Sequence, residues 1–149
     1  MIFELDDFTW QTLYEYIERR IAGVLDTLQL IRMDSQASSF AHMSESQQHQ
    51  LNLLRSCLPL VREMQSKEDL QMICPIMSVD LIHLRCRSQP NHQVSSSDFA
   101  WITPIAEERY SLMRIETKES EAGEILWSFE GDLAQVVEKV EMLVKEVCT

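Results

Sequence analysis

Apolar residues recur along residues 10–31 at alternating steps of four and three, the spacing of one face of an α-helix. They are Trp10, Tyr14, Ile17, Ile21, Val24, Leu28 and Ile31. Charged side chains occupy the other faces, and either Asp7 or Thr9 is suited to cap the first turn. The pattern predicts a long amphipathic helix whose apolar seam, of the coiled-coil type, runs for about three heptads.

A second apolar stripe, along residues 51–64, predicts another helix. Ser44 and Gln47 match the capping-box pattern, which places the start of this helix at residue 44. Pro59 lies inside the stripe, and because proline removes a backbone donor and clashes with the preceding turn, we expect a kink or a break there. Another short turn is expected over residues 66–72. Residues 1–72 therefore form a helical region built on a helical hairpin.

Short strand-like segments replace the helical pattern beyond Cys74-Pro75. Residues 79–86 and 99–103 predict two strands, the second ending at Pro104, with a polar loop over residues 88–98 between them. Residues 109–117 and 124–129 flank a turn signal and predict a β-hairpin. In its second strand, the two-residue period places Ile125, Trp127 and Phe129 on one face.

A closing helix follows the hairpin. Asp132 and Gln135 form another capping-box pattern, and Val136, Val140 and Leu143 lie on its apolar stripe. Residues 73–149 are thus predicted to form an α+β region, and one compact unit with residues 1–72. The predicted fold is α+β: an N-terminal helical hairpin, a small antiparallel sheet of three or four strands and a C-terminal amphipathic helix.

Composition narrows the classes of partner. The chain has 149 residues, 45% of them hydrophobic, which is enough to bury a core. Its formal net charge of −11 repels nucleic acid and anionic membranes. Residues 107–149 carry 11 of the 24 acidic residues and five of the 13 basic ones. The acidic start differs from a signal peptide, and no apolar run is long enough for membrane insertion. These features predict a cytoplasmic protein, with the nucleus left open.

The four cysteines lie far apart without a C-x-x-C pair, which favours reduced thiols over the two disulfides of a secreted domain. The cysteines and histidines also lack zinc spacing, so we expect no metal and no cofactor. No G-x-S-x-G, phosphate-loop or dinucleotide motif occurs. Cys86 lies between Arg85 and Arg87, whose charges favour a thiolate, but alternation of buried and solvated strand residues is the more common reason for such a pattern. We therefore expect no enzyme.

The apolar stripes point to protein–protein interaction. The first seam is roughly 30 Å long, as long as a small domain is wide. We therefore predict a non-catalytic adaptor or scaffold subunit that forms a homodimer or a hetero-oligomer with a protein partner. Whether the first seam is interface or core stays open. The candidate interface residues are those of the first seam, Trp10 to Ile31 as named above, together with Trp127, Phe129, Val136, Val140 and Leu143.

From about Leu81 onward, the chain resembles the COMM domain: a strand, a polar loop, a hairpin introduced by Thr103-Pro104, and a closing leucine- and valine-rich helix. The resemblance implies that the hairpin and closing helix interlock with a second copy to form dimers. In that family such dimers act as scaffolding in an endosomal trafficking complex. The sequence Asp80-Leu81-Ile82-His83 stands where the family has a tryptophan in its first strand.

Two alternative functions remain. Small acidic α+β dimers with a closing amphipathic helix also resemble secretion chaperones, which hold partly unfolded clients, although the two long N-terminal helices fit that class poorly. The second alternative is a small enzyme that uses Cys86 as a reactive thiol.

Overall fold

The computed structural model describes residues 9–33, 39–78, 81–87, 97–116 and 124–148. Within these ranges the chain forms three α-helices, one short 3-10 helix and five strands, which confirms the predicted α+β class with a sheet one strand larger than expected. In chain order they are α1 (Trp10–Met33), α2 (Ser39–Ser66), the 3-10 helix (Glu68–Met72), β1 (Ile73–Ser78), β2 (Leu81–Cys86), β3 (Ala100–Ala106), β4 (Arg109–Glu116), β5 (Glu124–Gly131) and α3 (Leu133–Val147).

The five described strands form one antiparallel meander in the order β1-β2-β3-β4-β5. Ile82, Ile102 and Leu112 are paired in turn across β2, β3 and β4, and all three are fully buried in one cluster with residues of all three helices. The helices therefore cover one face of the sheet, which we call the inner face. The opposite, outer face carries the alternate residues, including His83, paired with Trp101.

Helix α1 begins as the sequence predicts, with Thr9 as its cap. The Thr9 hydroxyl accepts the backbone N–H of Thr12 at 3.2 Å, and the Thr12 hydroxyl accepts that of Thr9 at 2.8 Å. Asp7, the other predicted cap, lies outside the described residues. The first seam packs on α2, and the Trp10 indole donates to the carbonyl of Leu70 at 2.8 Å. This buried bond fixes the start of α1 against the 3-10 helix.

Helix α2 differs from its prediction at two points. It begins at Ser39, so Ser44 lies within the helix and not at its start. Residues 39–43 contain no glycine or proline, the residues that most oppose helix formation. It also continues through Pro59 as one helix rather than two pieces. Leu60, Val61 and Met64, beyond the proline, are all fully buried. Their burial offsets the roughly 3 kcal/mol that an interior proline costs.

Two prolines in the sheet also behave differently from the prediction. The segment around Cys74-Pro75, expected to separate two regions, is strand β1, whose position at the edge of the sheet tolerates a residue without an N–H. Strand β3 continues past Pro104, which pairs with Tyr110, and the register shifts between Pro104 and Ala106. Such an irregularity accommodates proline inside a sheet.

The β4–β5 hairpin and the closing helix lie close to their predicted positions. The register of the β4–β5 hairpin shifts between two adjacent residues of β4: Arg114 pairs with Trp127, and Ile115 pairs with Ile125. Adjacent residues of β4 point to opposite faces, so Ile125 does not share the face of Trp127, and that part of the prediction is wrong. The Asp132–Gln135 capping box is present at the start of α3, in both of its hydrogen bonds.

Candidate functional site

The first seam lies mainly in the core of the chain itself. Trp10, Ile17, Val24 and Leu28 are buried, and Tyr14 and Ile21 are half-buried against the same cluster. Ile31 is half-buried near the end of α1. Helix α2 supplies the partner surface that the seam requires. The buried positions of the seam therefore lie in the core of this chain.

The candidate interface residues of the second half divide between core and surface. Val136, Val140 and Leu143 are buried under the inner face of the sheet. Phe129 is half-buried against the core, and the ammonium group of Lys139 lies 5.2 Å from the centre of its ring. Trp127 keeps 39% of its surface exposed. Among the candidate interface residues, this tryptophan offers the most accessible apolar surface.

The two residues before Trp127 are exposed as well, with Ile125 on the opposite face of the strand. Ile125 and Leu126 are 51% and 49% exposed, so three consecutive apolar residues of β5 face solvent. Met142 of α3 is 59% exposed and lines a shallow cleft with Phe129. We call Ile125, Leu126, Trp127, Phe129 and Met142 the β5 patch. The sequence pattern did not indicate Leu126, because strict alternation turns it away from Trp127 and gives no measure of exposure.

The two edges of the described sheet differ. Strand β1 has Ile73, Cys74 and Pro75 buried, and α1 packs beside it. Strand β5 pairs with β4 on one side only, and almost all of its side chains are exposed. Proline and a covering helix are common ways of protecting an edge from further pairing. Strand β5 contains no proline, and although α3 contacts it, most of its side chains stay exposed.

A polar network on the outer face connects β1, β2 and the start of β3. The carboxylate of Asp98 accepts from His83 Nδ1 at 2.7 Å, from Arg85 Nε at 2.6 Å and from Trp101 Nε1 at 2.8 Å. On the other side of the imidazole ring, His83 Nε2 lies 2.6 Å from the hydroxyl of Ser78. No sequence motif indicates this network, because strand register brings its members together.

The network keeps Asp98 ionised. Burial alone would raise the pKa of this carboxyl, but the hydrogen bonds from Trp101, Arg85 and His83 favour its charged form and outweigh burial. The pKa of Asp98 consequently lies below its usual value. The site therefore presents a fixed carboxylate behind a histidine, with the exposed Ser78 in front.

Cys86 is bonded to Cys148 in a disulfide, whereas Cys57 and Cys74 are buried thiols. In this oxidised state Cys86 has no free thiol to act as the nucleophile of the reactive-cysteine alternative. Disulfides persist in oxidising compartments and are rare in the cytosol. The bond thus contrasts with the reduced thiols that the sequence favoured.

Other kinds of site have little support in the described residues. They contain no group of three or more His, Cys, Asp or Glu side chains placed to hold a metal ion. The clefts found there are open and shallow; one lies between α2 and the β3–β4 turn, beside His49 and Glu108. No helix in the described part of the chain is both long enough and apolar enough to cross a membrane.

Comparison with known proteins adds no assignment. No family model matches the chain, and neither a curated protein nor a solved structure does so. The resemblance to the COMM domain therefore stands only on the residues quoted for it above.

Proposed function

We propose that the chain is a protein–protein interaction subunit and that its β5 edge accepts an extended segment of a partner protein as an added strand. The observation that carries this proposal is the run of three exposed apolar residues, Ile125, Leu126 and Trp127, on the less protected edge of the described sheet. In this mode of recognition, main-chain hydrogen bonds supply affinity and alternate side chains supply specificity.

Backbone geometry supports an edge interaction. One side of β5 is occupied by the ladder to β4, so its remaining N–H and C=O groups point outward. A strand that pairs there would also cover apolar side chains of the β5 patch. Transfer of about 100 Å² of apolar surface from water is worth roughly 2.5 kcal/mol, so this patch adds substantially to the main-chain bonds.

The charges around the β5 patch define the chemistry of the partner. Glu124 and Glu130 stand near the two ends of β5, both exposed, and Glu138 and Glu141 lie on α3 beside Met142. Lys139 is the nearby cation, and its ammonium group lies over Phe129. Acidic groups around an apolar centre favour a partner segment that alternates apolar with lysine or arginine side chains.

A second copy of the chain fits this edge less well. If two β5 strands paired antiparallel about Trp127, Glu124 of each chain would face Glu130 of the other. Like charges directly opposite each other destabilise a strand pair. The dimer implied by the COMM resemblance is therefore our second candidate, and a basic partner segment is the first.

A peptide-binding experiment tests the proposal. The probe is a peptide of the same eight-residue length as β5, alternating valine and lysine, and its comparison peptide has glutamate in place of lysine. We expect the lysine peptide to bind the full chain and to shift the backbone amide resonances of β5, and the glutamate peptide to do neither. Calorimetry gives the affinity, and light scattering over a dilution series gives the mass of the chain without peptide.

Variants of exposed leucines supply the matched controls. Leu126→Lys should weaken binding of the lysine peptide roughly tenfold or more, since it loses apolar contact and adds a like charge. Leu30→Lys alters a leucine that is 67% exposed on α1 and should leave binding unchanged. Equal binding of both peptides, or equal effects of both variants, would contradict the proposal. A concentration-dependent dimer that Leu126→Lys dissociates would favour the second candidate.

A further inference from the structure

Ser78, His83 and Asp98 form a continuous chain of hydrogen bonds in the order nucleophile, base and orienting carboxylate. The Ser78 hydroxyl lies 2.6 Å from His83 Nε2, and His83 Nδ1 lies 2.7 Å from an oxygen of Asp98. Serine hydrolases on unrelated folds share this order of groups and are recognised by geometry rather than by sequence position. The chain of bonds therefore identifies a possible chemistry without any family resemblance.

Strand register holds the three side chains together. In the β1–β2 hairpin Ser78 pairs with Leu81 and Ile76 pairs with His83, so Ser78 and His83 are diagonal neighbours on the outer face. Asp98 lies two residues before the start of β3, whose residue Trp101 pairs with His83. The rings of Trp101 and His83 meet edge to face, with centroids 5.8 Å apart, which restricts the imidazole further.

Hydrogen-bonding chemistry fixes the tautomer of His83. An ionised carboxylate can only accept hydrogen bonds, so the bond between His83 and Asp98 requires the proton to be on Nδ1. In the neutral ring Nε2 is then an acceptor, and the Ser78 hydroxyl must be the donor. This is the arrangement in which a histidine takes the proton of a serine as a general base.

We propose that Ser78 is an activated nucleophile that hydrolyses carboxylic esters by acyl transfer, with His83 as general base and Asp98 as positioning residue. This inference goes beyond the interaction role and departs from the expectation of a non-catalytic chain. Ser78 is exposed at the end of β1, so the reacting carbonyl can approach from solvent. Ile76 and Trp101 flank His83 on the same face and suit a small apolar acyl group.

The reaction consists of two balanced transfers. Ser78 Oγ bonds to the ester carbonyl carbon while its proton passes to His83 Nε2; the bond between that carbon and the alkoxy oxygen then breaks, and the alcohol leaves with this proton. The acyl group is now esterified to Ser78. Water repeats the attack with its proton taken by His83, the bond to Oγ breaks, and the proton returns to Ser78. One ester and one water give one carboxylic acid and one alcohol.

The experiment uses the full chain with p-nitrophenyl acetate as substrate and a fluorophosphonate probe that labels activated serines. We expect release of p-nitrophenol above the buffer rate, and peptide mass spectrometry should place the probe on Ser78. Ser78→Ala and His83→Gln should each lower the rate of release at least about 100-fold, the usual contribution of general-base catalysis. Circular dichroism confirms that each variant keeps its fold.

Matched controls separate this site from ordinary surface reactivity. Ser128→Ala removes an exposed serine from β5, and His49→Gln removes an exposed histidine from α2; neither should change the rate. Asp98→Asn should lower the rate with retained fold, and Asp98→Glu, which restores the carboxylate, should recover part of it. Equal rates for the parent chain and folded Ser78→Ala, or probe attached to another residue, would overturn the proposal. Neither result would bear on peptide binding at β5.

Discussion

Removal of the Cys86–Cys148 disulfide has a calculable effect on stability. The bond joins the end of β2 to the residue after α3, across 62 positions of sequence. A cross-link restricts the unfolded chain in proportion to the logarithm of the loop that it closes, and for a loop of this length the relation gives about 4 kcal/mol at 25 °C. The variant Cys148→Ser should therefore lower the free energy of unfolding by about 4 kcal/mol.

The native structure should change little in the same variant. Helix α3 is held independently by Val136, Val140 and Val144, which are buried under the sheet, and by its capping box. Cys148 is 9% exposed and lies after the end of α3, so its replacement leaves the buried residues of that helix in place. We expect the far-ultraviolet circular dichroism spectrum to be preserved, because the disulfide acts mainly on the unfolded state.

Urea denaturation followed by circular dichroism measures the effect. With a slope of about 2 kcal/mol per molar urea, the midpoint should fall by roughly 2 M. The parent chain in reductant should unfold like the variant. The variant should not respond to reductant, because Cys57 and Cys74 form no disulfide in the structure and Cys86 has lost its disulfide partner. A loss below about 1 kcal/mol, or a change in the native spectrum, would refute the entropic argument.

Two further changes test the core and a helix end. Tyr110→Phe removes the hydroxyl that donates to the carbonyl of Ser56 at 2.5 Å and should cost about 1–3 kcal/mol in urea denaturation at pH 7. Burial raises the pKa of Tyr110 to about 12, so the native state keeps a proton that the unfolded chain loses near pH 10. The free energy of unfolding should therefore fall between pH 10 and pH 12 in the parent chain, and less steeply in Tyr110→Phe. Identical pH dependences in the two proteins would contradict the assignment. Asp132→Ala removes the capping box of α3 and should cost about 1 kcal/mol, whereas Asp26→Ala, at an exposed site within α1, should change stability by less than about 0.5 kcal/mol. Equal losses in these two variants would show that the cap contributes nothing specific.

Local signals explain which elements could be predicted from the sequence. The caps at Thr9 and Asp132 depend on side chains within three residues of the helix start, so the sequence carries all the information they need. The passage of α2 through Pro59 depends instead on burial against α1 and the sheet. Packing of this kind overrides local preference, and no short stretch of sequence records it.

Edges of the sheet were harder to predict for the same reason. Pro75 and Pro104 read locally as strand breaks, yet one lies on an edge strand and the other beside an irregularity in register. Exposure is also a property of the whole fold. Trp127 and Val140 both belong to apolar patterns in the sequence. In the fold, Val140 of α3 is buried in the core, whereas Trp127 of the edge strand β5 stays 39% exposed.

The outer-face network shows the limit of motif searches most clearly. Ser78, His83 and Asp98 are separated by five and 15 positions, spacings without meaning until the β1–β2 register is known. A slip of one residue in that register would turn His83 toward the helices and abolish the chain of bonds. The network therefore depends on the register of the β1–β2 hairpin. The absence of a G-x-S-x-G motif excludes only one way of presenting a serine. Because β4 lies between β3 and β5, the network and the β5 patch are separate features of the sheet, and the chemistry of one can be tested without disturbing the other.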